Sequence, residues 1–216
     1  MNFWLQFFRS QFFAKIPDAN WDFSGQTVIV TGSNTGLGLE AARHITRLGA
    51  AKVILAVRTV SKGEAAARSI LQSTKSTKED VVEVWPLDLS DYESVKAFGA
   101  RVQGLERLDA VIQNAGIFTT KFKVVEGNES HVTVNVVSAV LVGLLALPKL
   151  RETARKYGVR TRLAFNGSDM QFVAKFREAN AEGSLLEALN QEEKADMGDR
   201  CVSICYDLHF FFSDQV

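Results

Sequence analysis

The chain has 216 residues, of which 46% are hydrophobic and 23% charged, and this profile predicts one globular domain with a substantial core. Lysine plus arginine equals aspartate plus glutamate at 25 each, so the formal net charge is zero and nothing favours binding to nucleic acid. Cys201 and Cys205 form no disulfide framework and lack further ligands at zinc-site spacing, which predicts a reducing, cytoplasmic compartment and no metal site.

The first 22 residues are rich in aromatic side chains and predict an N-terminal helix. No basic residue precedes the apolar stretch and Arg9 interrupts it, so it matches neither a secretory signal peptide nor a membrane span. Two interpretations stay open: a helix that packs on the body of the protein, or an amphipathic helix that rests on a membrane surface. The aromatic residues are Phe3, Trp4, Phe7, Phe8, Phe12 and Phe13.

From residue 27 onward, short apolar strands alternate with amphipathic helices. Strands are predicted at residues 27–30, 52–57, 81–86, 108–113 and 160–166, and helices at 37–48, 61–72, 92–105 and 129–156. This alternation predicts an α/β fold, a doubly wound parallel sheet of the Rossmann type with ligands at the carboxyl ends of the strands. Residues 169–199 are polar and helix-prone, and their pattern predicts no definite element.

A second apolar run covers residues 132–147 and ends at Pro148. Its 16 residues are fewer than the roughly 20 that a membrane-spanning helix needs, so a buried or interface helix is predicted and no transmembrane segment. Because the run is apolar around most of its circumference, one side needs a partner, and we expect a homo-oligomer.

The first strand runs into a glycine-rich turn, TGSNTGLG, at residues 31–38, which opens the first helix of the alternation. Glycines let such a turn close and let the backbone approach a pyrophosphate, while the helix N-terminus offers free N–H groups and the positive end of its dipole. The alternative is an ordinary glycine-rich turn. The candidate cofactor-binding residues of this turn are Gly32, Asn34, Gly36, Leu37 and Gly38.

With its TGxxxGxG spacing, the chain resembles the short-chain dehydrogenase/reductase family, and more narrowly its fungal members. Four further matches follow in the family's order over residues 23–200: Asp88, the NAG sequence Asn114-Ala115-Gly116, Asn135 and Ser168. The resemblance implies that Asp88, Asn114 and Gly116 contact the cofactor, and that Asn135 and Ser168 belong to the catalytic set. It also implies an oxidoreductase that interconverts a small-molecule carbonyl and alcohol, with a role in secondary metabolism.

The end of the second strand predicts which nicotinamide cofactor is bound. An acidic residue there bonds the ribose 2′-hydroxyl of NAD in Rossmann proteins, but this chain has Ala56-Val57-Arg58, with Lys62 following. A guanidinium can clamp a 2′-phosphate bidentately, so Arg58 and Lys62 predict NADP(H). The alternative is that Arg58 is a solvated charge at a helix start.

The catalytic half departs from the family's pattern. The family's proton donor and its partner form a YxxxK motif after the serine, where this chain has Cys201 and Cys205, while Tyr92 and Lys96 lie too early in the chain. The resemblance therefore implies either an oxidoreductase with an altered site, a non-catalytic nucleotide-binding protein, or a truncated product.

Three segments are expected: the aromatic-rich helix at 1–22, an NADP-binding Rossmann domain at 23–200, and an atypical tail at 201–216. The tail stands where the family continues with its catalytic helix, so the sheet is expected to be incomplete at its C-terminal edge. A genuinely diverged end and translation of a retained intron are both consistent with this tail. Val202-Ser203 fits a GTAAGT intron start, and Phe210-Phe211-Phe212 fits a T-rich stretch.

Overall fold

The computed structural model describes residues 3–15, 21–74, 79–167 and 174–199. In chain order, the strands are β1 (Thr27–Thr31), β2 (Lys52–Val57), β3 (Val82–Pro86), β4 (Ala110–Gln113), β5 (Val124–Val125), β6 (Asn128–Glu129) and β7 (Arg162–Phe165). Five of these form one sheet in the order β3-β2-β1-β4-β7, with every pairing parallel. The predicted doubly wound α/β fold is confirmed.

The described residues form six α-helices. They are α1 (Phe3–Phe13), α2 (Gly36–Arg47), α3 (Val60–Thr74), α4 (Tyr92–Gln103), α5 (Ala139–Tyr157) and α6 (Leu185–Leu189). Four of the six cover the sheet, α2 and α3 on one face and α4 and α5 on the other. A π-helical stretch, Val132–Ser138, leads directly into α5, where the sequence predicted one continuous α-helix from residue 129. Three short 3-10 turns complete the described elements: Glu79–Val81, Arg177–Asn180 and Glu192–Lys194.

The central strands are buried on both faces because successive side chains of a strand point to opposite sides. Val28 and Val30 of β1 belong to the apolar cluster formed with α2 and α3, whereas Ile29 between them belongs to the cluster formed with α4 and α5. Full burial of each such side chain stabilises the fold by about 1.5–3 kcal/mol.

The strand order reverses direction at β1, which lies between β2 and β4. The crossovers on either side of β1 therefore run in opposite directions, and a crevice opens at the carboxyl ends of β1 and β4. This is where open parallel sheets bind their ligands.

The helix that runs from Val132 to Tyr157 has the length and hydropathy of a membrane-spanning helix, and it is the one such helix in the described part of the chain. This helix is longer than the 16-residue run from which a buried or interface helix was predicted. Val142, Ala146 and Leu150 are buried against the sheet, as in the core helix of a globular protein. Gly99 lets α4 and α5 pack closely, since a Cβ at this position would lie 2.6 Å from Cδ1 of Leu145 in α5.

Candidate functional site

A cleft of about 450 Å³ lies at the carboxyl ends of the strands. Segments that follow four different strands contribute to its lining, so it forms only when the sheet is assembled. Six of the ten predicted cofactor-binding residues line this cleft: Gly32, Asn34, Arg58, Lys62, Asp88 and Gly116. The other four, Gly36, Leu37, Gly38 and Asn114, are not part of its lining.

The glycine-rich turn packs too closely for side chains at two of its three glycines. Gly32 has φ +65°, and a Cβ there would lie 2.9 Å from Cα of Ala115. A Cβ on Gly38 would lie 2.5 Å from Nδ2 of Asn114 and 2.8 Å from the carbonyl oxygen of Gly32. Gly36 has φ +59°, but a Cβ at this position would have no described atom of another residue within 4 Å. This side of the turn is therefore accessible to a ligand.

Asn114 joins neighbouring strands rather than facing the cleft. Its Nδ2 donates to the carbonyl oxygen of Thr31 at 3.1 Å, and its Oδ1 accepts from Nδ2 of Asn166 at 3.2 Å. Oγ1 of Thr31 in turn accepts from the amides of Asn114 and Ala115 at 3.0 and 2.9 Å. Thr31 was not among the predicted site residues, although it is the first residue of the TGxxxGxG motif.

The two basic residues predicted to select the cofactor follow β2. Arg58 and Lys62 are both exposed on the cleft lining, and neither forms an ion pair within the described ranges. Their positive charges are thus available to an anion that enters the cleft.

Asp88 follows β3 and has a fixed orientation. Its Oδ1 accepts from the amide and the hydroxyl of Ser90 at 2.9 and 2.6 Å, and its own amide donates to Oγ of Ser94 at 3.0 Å. These bonds hold the carboxylate in the cleft, and within the part of the chain that the structure describes it forms no ion pair.

Asn135 lies on the π-helical stretch and is buried. Its Oδ1 accepts from the amide of Ile117 at 2.8 Å, while its Nδ2 donates to the carbonyl oxygen of Ile117 at 3.0 Å. The side-chain amide therefore positions the backbone that follows Gly116. Ser168, Cys201 and Cys205 lie outside the described residues.

A buried polar pair beside the cleft was missed at the sequence level. His131 and Glu129 are fully buried, and Nδ1 of His131 lies 3.1 Å from Oε1 of Glu129. Burial raises the pKa of Glu129, but hydrogen bonds from the side chain and backbone of His131 and from Ser130 outweigh it, so the pKa lies below its usual value. The short spacing Glu129-Ser130-His131 was the available signal, although it does not predict burial.

A family model described as short chain dehydrogenase matches residues 26–159. The short chain dehydrogenase/reductase dmxR8 of Cryptosporiopsis sp. is 42% identical over 88% of this chain and 59% of its own length. The short chain dehydrogenase atnD of Emericella nidulans is 44% identical over 90% of this chain and 62% of its own length.

Among solved structures, an uncharacterised protein from Mycobacterium paratuberculosis superimposes with a TM-score of 0.64 and 31% identity. The match covers 86% of this chain and 59% of that protein. The chain therefore spans about three-fifths of the length of these relatives.

Proposed function

Since the chain belongs to the short-chain dehydrogenase family of oxidoreductases, which bind nicotinamide cofactors, we propose that it binds NADP(H) in the cleft at the sheet's carboxyl edge. We further propose that the protein catalyses hydride transfer between a small-molecule carbonyl and an alcohol. The relatives from Cryptosporiopsis sp. and Emericella nidulans are fungal, which supports an apolar ketone or alcohol of fungal secondary metabolism as the substrate class.

The observation that carries the choice of NADP(H) is the charge at the end of β2. Arg58 and Lys62 are exposed on the cleft lining, and no carboxylate occupies the end of that strand to accept from a ribose 2′-hydroxyl. A guanidinium and an ammonium together fit a 2′-phosphate, which NADP(H) carries and NAD(H) lacks.

The remaining residues fit the rest of such a nucleotide. The open side of Gly36 and the N-terminus of α2 suit a pyrophosphate, because the backbone there can approach closely and the helix dipole favours an anion. Asp88 and Gly116 would flank the adenosine and the second ribose. When bound, the nicotinamide supplies or accepts the hydride.

A second candidate function is nucleotide binding without turnover, favoured by the cysteines at positions 201 and 205. A thiol sulfur stands within roughly 3 Å of its Cα, whereas a tyrosine hydroxyl stands roughly 6.5 Å away, so a cysteine does not reach the same proton acceptor. The side-chain amide of Asn135 is hydrogen-bonded to the backbone of Ile117, and an amide does not act as a proton donor in catalysis. Loss of one general acid typically costs roughly 10²–10⁴ in rate.

One experiment separates these candidates. Fluorescence titration measures binding of NADPH and NADH to the whole chain, and absorbance at the nicotinamide band then follows NADPH oxidation against a panel of ketones. Tighter binding of NADPH with turnover supports the oxidoreductase, and binding without turnover supports the second candidate. Binding of neither nucleotide would contradict both.

We also propose that the protein resides in the cytoplasm with α1 on a membrane surface. Leu5, Phe8 and Phe12 follow helical spacing along one side of α1 and are 69%, 53% and 75% exposed. Arg9 and Lys15 are the charged residues between positions 3 and 15, so the segment suits an anionic lipid surface.

A further inference from the structure

We infer that His131 is a positioning residue that holds one wall of the cofactor cleft in place through a single backbone amide. This inference rests on the proposed function, because the cleft is taken to receive a nicotinamide nucleotide. The wall in question is the loop of residues 117–125, here called the wall loop. His131 is buried behind it and is not itself part of the cleft lining.

The wall loop presents alternate residues to the cleft, and its backbone is attached to the start of the long helix. The residues that line the cleft are Ile117, Thr119, Lys121, Lys123 and Val125. At its beginning, Asn135 bonds both backbone groups of Ile117. At its end, the carbonyl oxygens of Lys123 and Val125 accept from the Ser130 amide at 2.8 Å and from Oγ1 of Thr133 at 2.7 Å.

Between these two ends, the attachment to the long helix is made by His131. The amide of Thr119 donates to Nε2 of His131 at 3.2 Å. Because Nε2 accepts this bond it carries no proton, so the neutral imidazole has its proton on Nδ1. The bond needs a lone pair at Nε2, and a side chain without an acceptor there leaves the Thr119 amide without this partner.

Glu129 is the group that sets this tautomer. Its Oε1 accepts from Nδ1 of His131, from the His131 amide at 3.0 Å and from Oγ of Ser130 at 2.9 Å. An ionised carboxylate that only accepts at this position keeps the imidazole proton on Nδ1 and leaves Nε2 as the acceptor.

The pair also links the wall loop to a distant part of the chain. The Glu129 amide donates to Oδ1 of Asn190 at 2.7 Å, and Nδ2 of Asn190 donates to Oδ1 of Asn128 at 3.1 Å. Oε2 of Glu129 is buried with no hydrogen-bond partner in the described residues. Within the described residues the carboxylate is thus held through Oε1 alone, the oxygen that accepts from His131 and Ser130.

The test compares two replacements of His131 in the whole chain. His131→Phe keeps the ring and removes the acceptor, whereas His131→Gln places an amide oxygen near the position of Nε2. Thr153→Val is the matched control, because it removes a buried acceptor, for the amide of Leu108, away from the cleft. Amide hydrogen exchange of residues 117–125 is measured without nucleotide, and the NADPH dissociation constant is measured by fluorescence.

We expect His131→Phe to speed exchange in the wall loop about tenfold and to weaken NADPH binding about fivefold, since the partly buried Thr119 amide loses its acceptor. We expect His131→Gln to stay within about twofold of wild type in both measurements. Thr153→Val should lower the melting temperature and leave both measurements unchanged. Unchanged exchange in His131→Phe, or equal losses in the two His131 variants, would overturn the inference.

If His131→Phe does not fold, His131→Asn takes its place, because its amide can still face Glu129 near the position of Nδ1 but offers no acceptor at the position of Nε2. Faster exchange at Thr119 in that variant supports the inference, and unchanged exchange overturns it. If the wild type binds no nicotinamide nucleotide, the proposed function fails, whereas the exchange measurement still tests the role of His131.

Discussion

Gly38 and Asn114 approach so closely that no methyl group fits between them: a Cβ on Gly38 would lie 2.5 Å from Nδ2 of Asn114. The same Nδ2 donates to the carbonyl oxygen of Thr31, so displacing it also disturbs the end of β1. The first turn of α2 is thereby fixed against the segment that follows β4. The position of the glycine-rich turn depends on this contact.

Gly38→Ala is therefore expected to lower the free energy of unfolding by about 2 kcal/mol, through overpacking, and to weaken NADPH binding. Urea denaturation and fluorescence titration measure the two effects. Gly104→Ala is the matched control, because Gly104 has an ordinary φ of −76° and ends α4 away from the cleft. Equal losses in the two variants would contradict the close packing described for Gly38.

Arg58→Asp is expected to raise the NADPH dissociation constant by about tenfold or more, since a charge-assisted bond to the 2′-phosphate is lost. The NADH dissociation constant should change far less, so the preference for NADPH narrows or reverses. Arg68→Asp makes the same charge change on the exposed side of α3, outside the cleft lining. A wild type with equal affinities for the two nucleotides would contradict the assignment to NADP(H).

The lowered pKa of Glu129 predicts a pH-dependent contribution to stability. Burial raises this pKa, but the hydrogen bonds from His131 and Ser130 lower it by more than burial raises it. The pKa therefore lies below its ordinary value, and the ionised carboxylate is the form that the fold stabilises. That stabilisation is complete above the ordinary glutamate pKa of about 4.3 and is lost as the pH falls through the lower value of the folded state.

The free energy of unfolding of wild type minus that of Glu129→Gln should accordingly be constant above about pH 5 and shrink below about pH 4. Urea denaturation at a series of pH values measures this difference. A difference that grows on acidification would show that Glu129 is protonated in the folded protein.

The exposed stripe of α1 is expected to bind anionic vesicles. Phe8→Asp together with Phe12→Asp should abolish flotation with phosphatidylserine vesicles, because two charges replace the rings that would enter the lipid interface. Vesicles of phosphatidylcholine alone should bind wild type more weakly, since Arg9 and Lys15 then lack an anionic surface. Equal flotation of wild type and the double variant would exclude this surface.

We expect the chain to self-associate through the outer side of α5, where Leu144 is exposed in the apolar first half of the helix. Leu144→Glu should shift the molar mass measured by light scattering toward the monomer, because it introduces a charge into a desolvated contact. Arg151→Glu, on a polar turn of the same helix, serves as the control. A monodisperse wild-type monomer would contradict the expectation.

Much of the fold was predictable because the strands of a covered parallel sheet are apolar without interruption, and both ends of β2 were predicted. The hairpin of β5 and β6 was not, since strands of two residues carry no periodicity. Glu126 and Gly127 between them have φ +51° and +80°, as a two-residue turn of type I′ requires. A glycine at the second position was the only local signal for it.

The candidate site was predictable where a local motif fixes the backbone conformation. It was not predictable where tertiary contacts determine which residues bond to one another. The glycines and the basic residues after β2 follow from local spacing. The pairing of Asn135 with Ile117, and of His131 with Thr119, joins residues that no spacing rule relates. Likewise, the change from π-helix to α-helix near Ser138 could not be predicted, because the apolar sequence there is compatible with either helix type.

The placement of β1 between β2 and β4 also bears on how the chain folds. β1 meets β2 across one helical crossover, but the bond from the Thr27 amide to Asp109 joins residues 82 positions apart. The seam between β1 and β4 is thus expected to close late, after the first two crossovers have collapsed onto β1. A nucleotide bound across this seam would bind only the form in which β1 and β4 are paired. It would therefore raise the free energy of unfolding, as any ligand of the native state does, and it would slow the separation of β1 from β4.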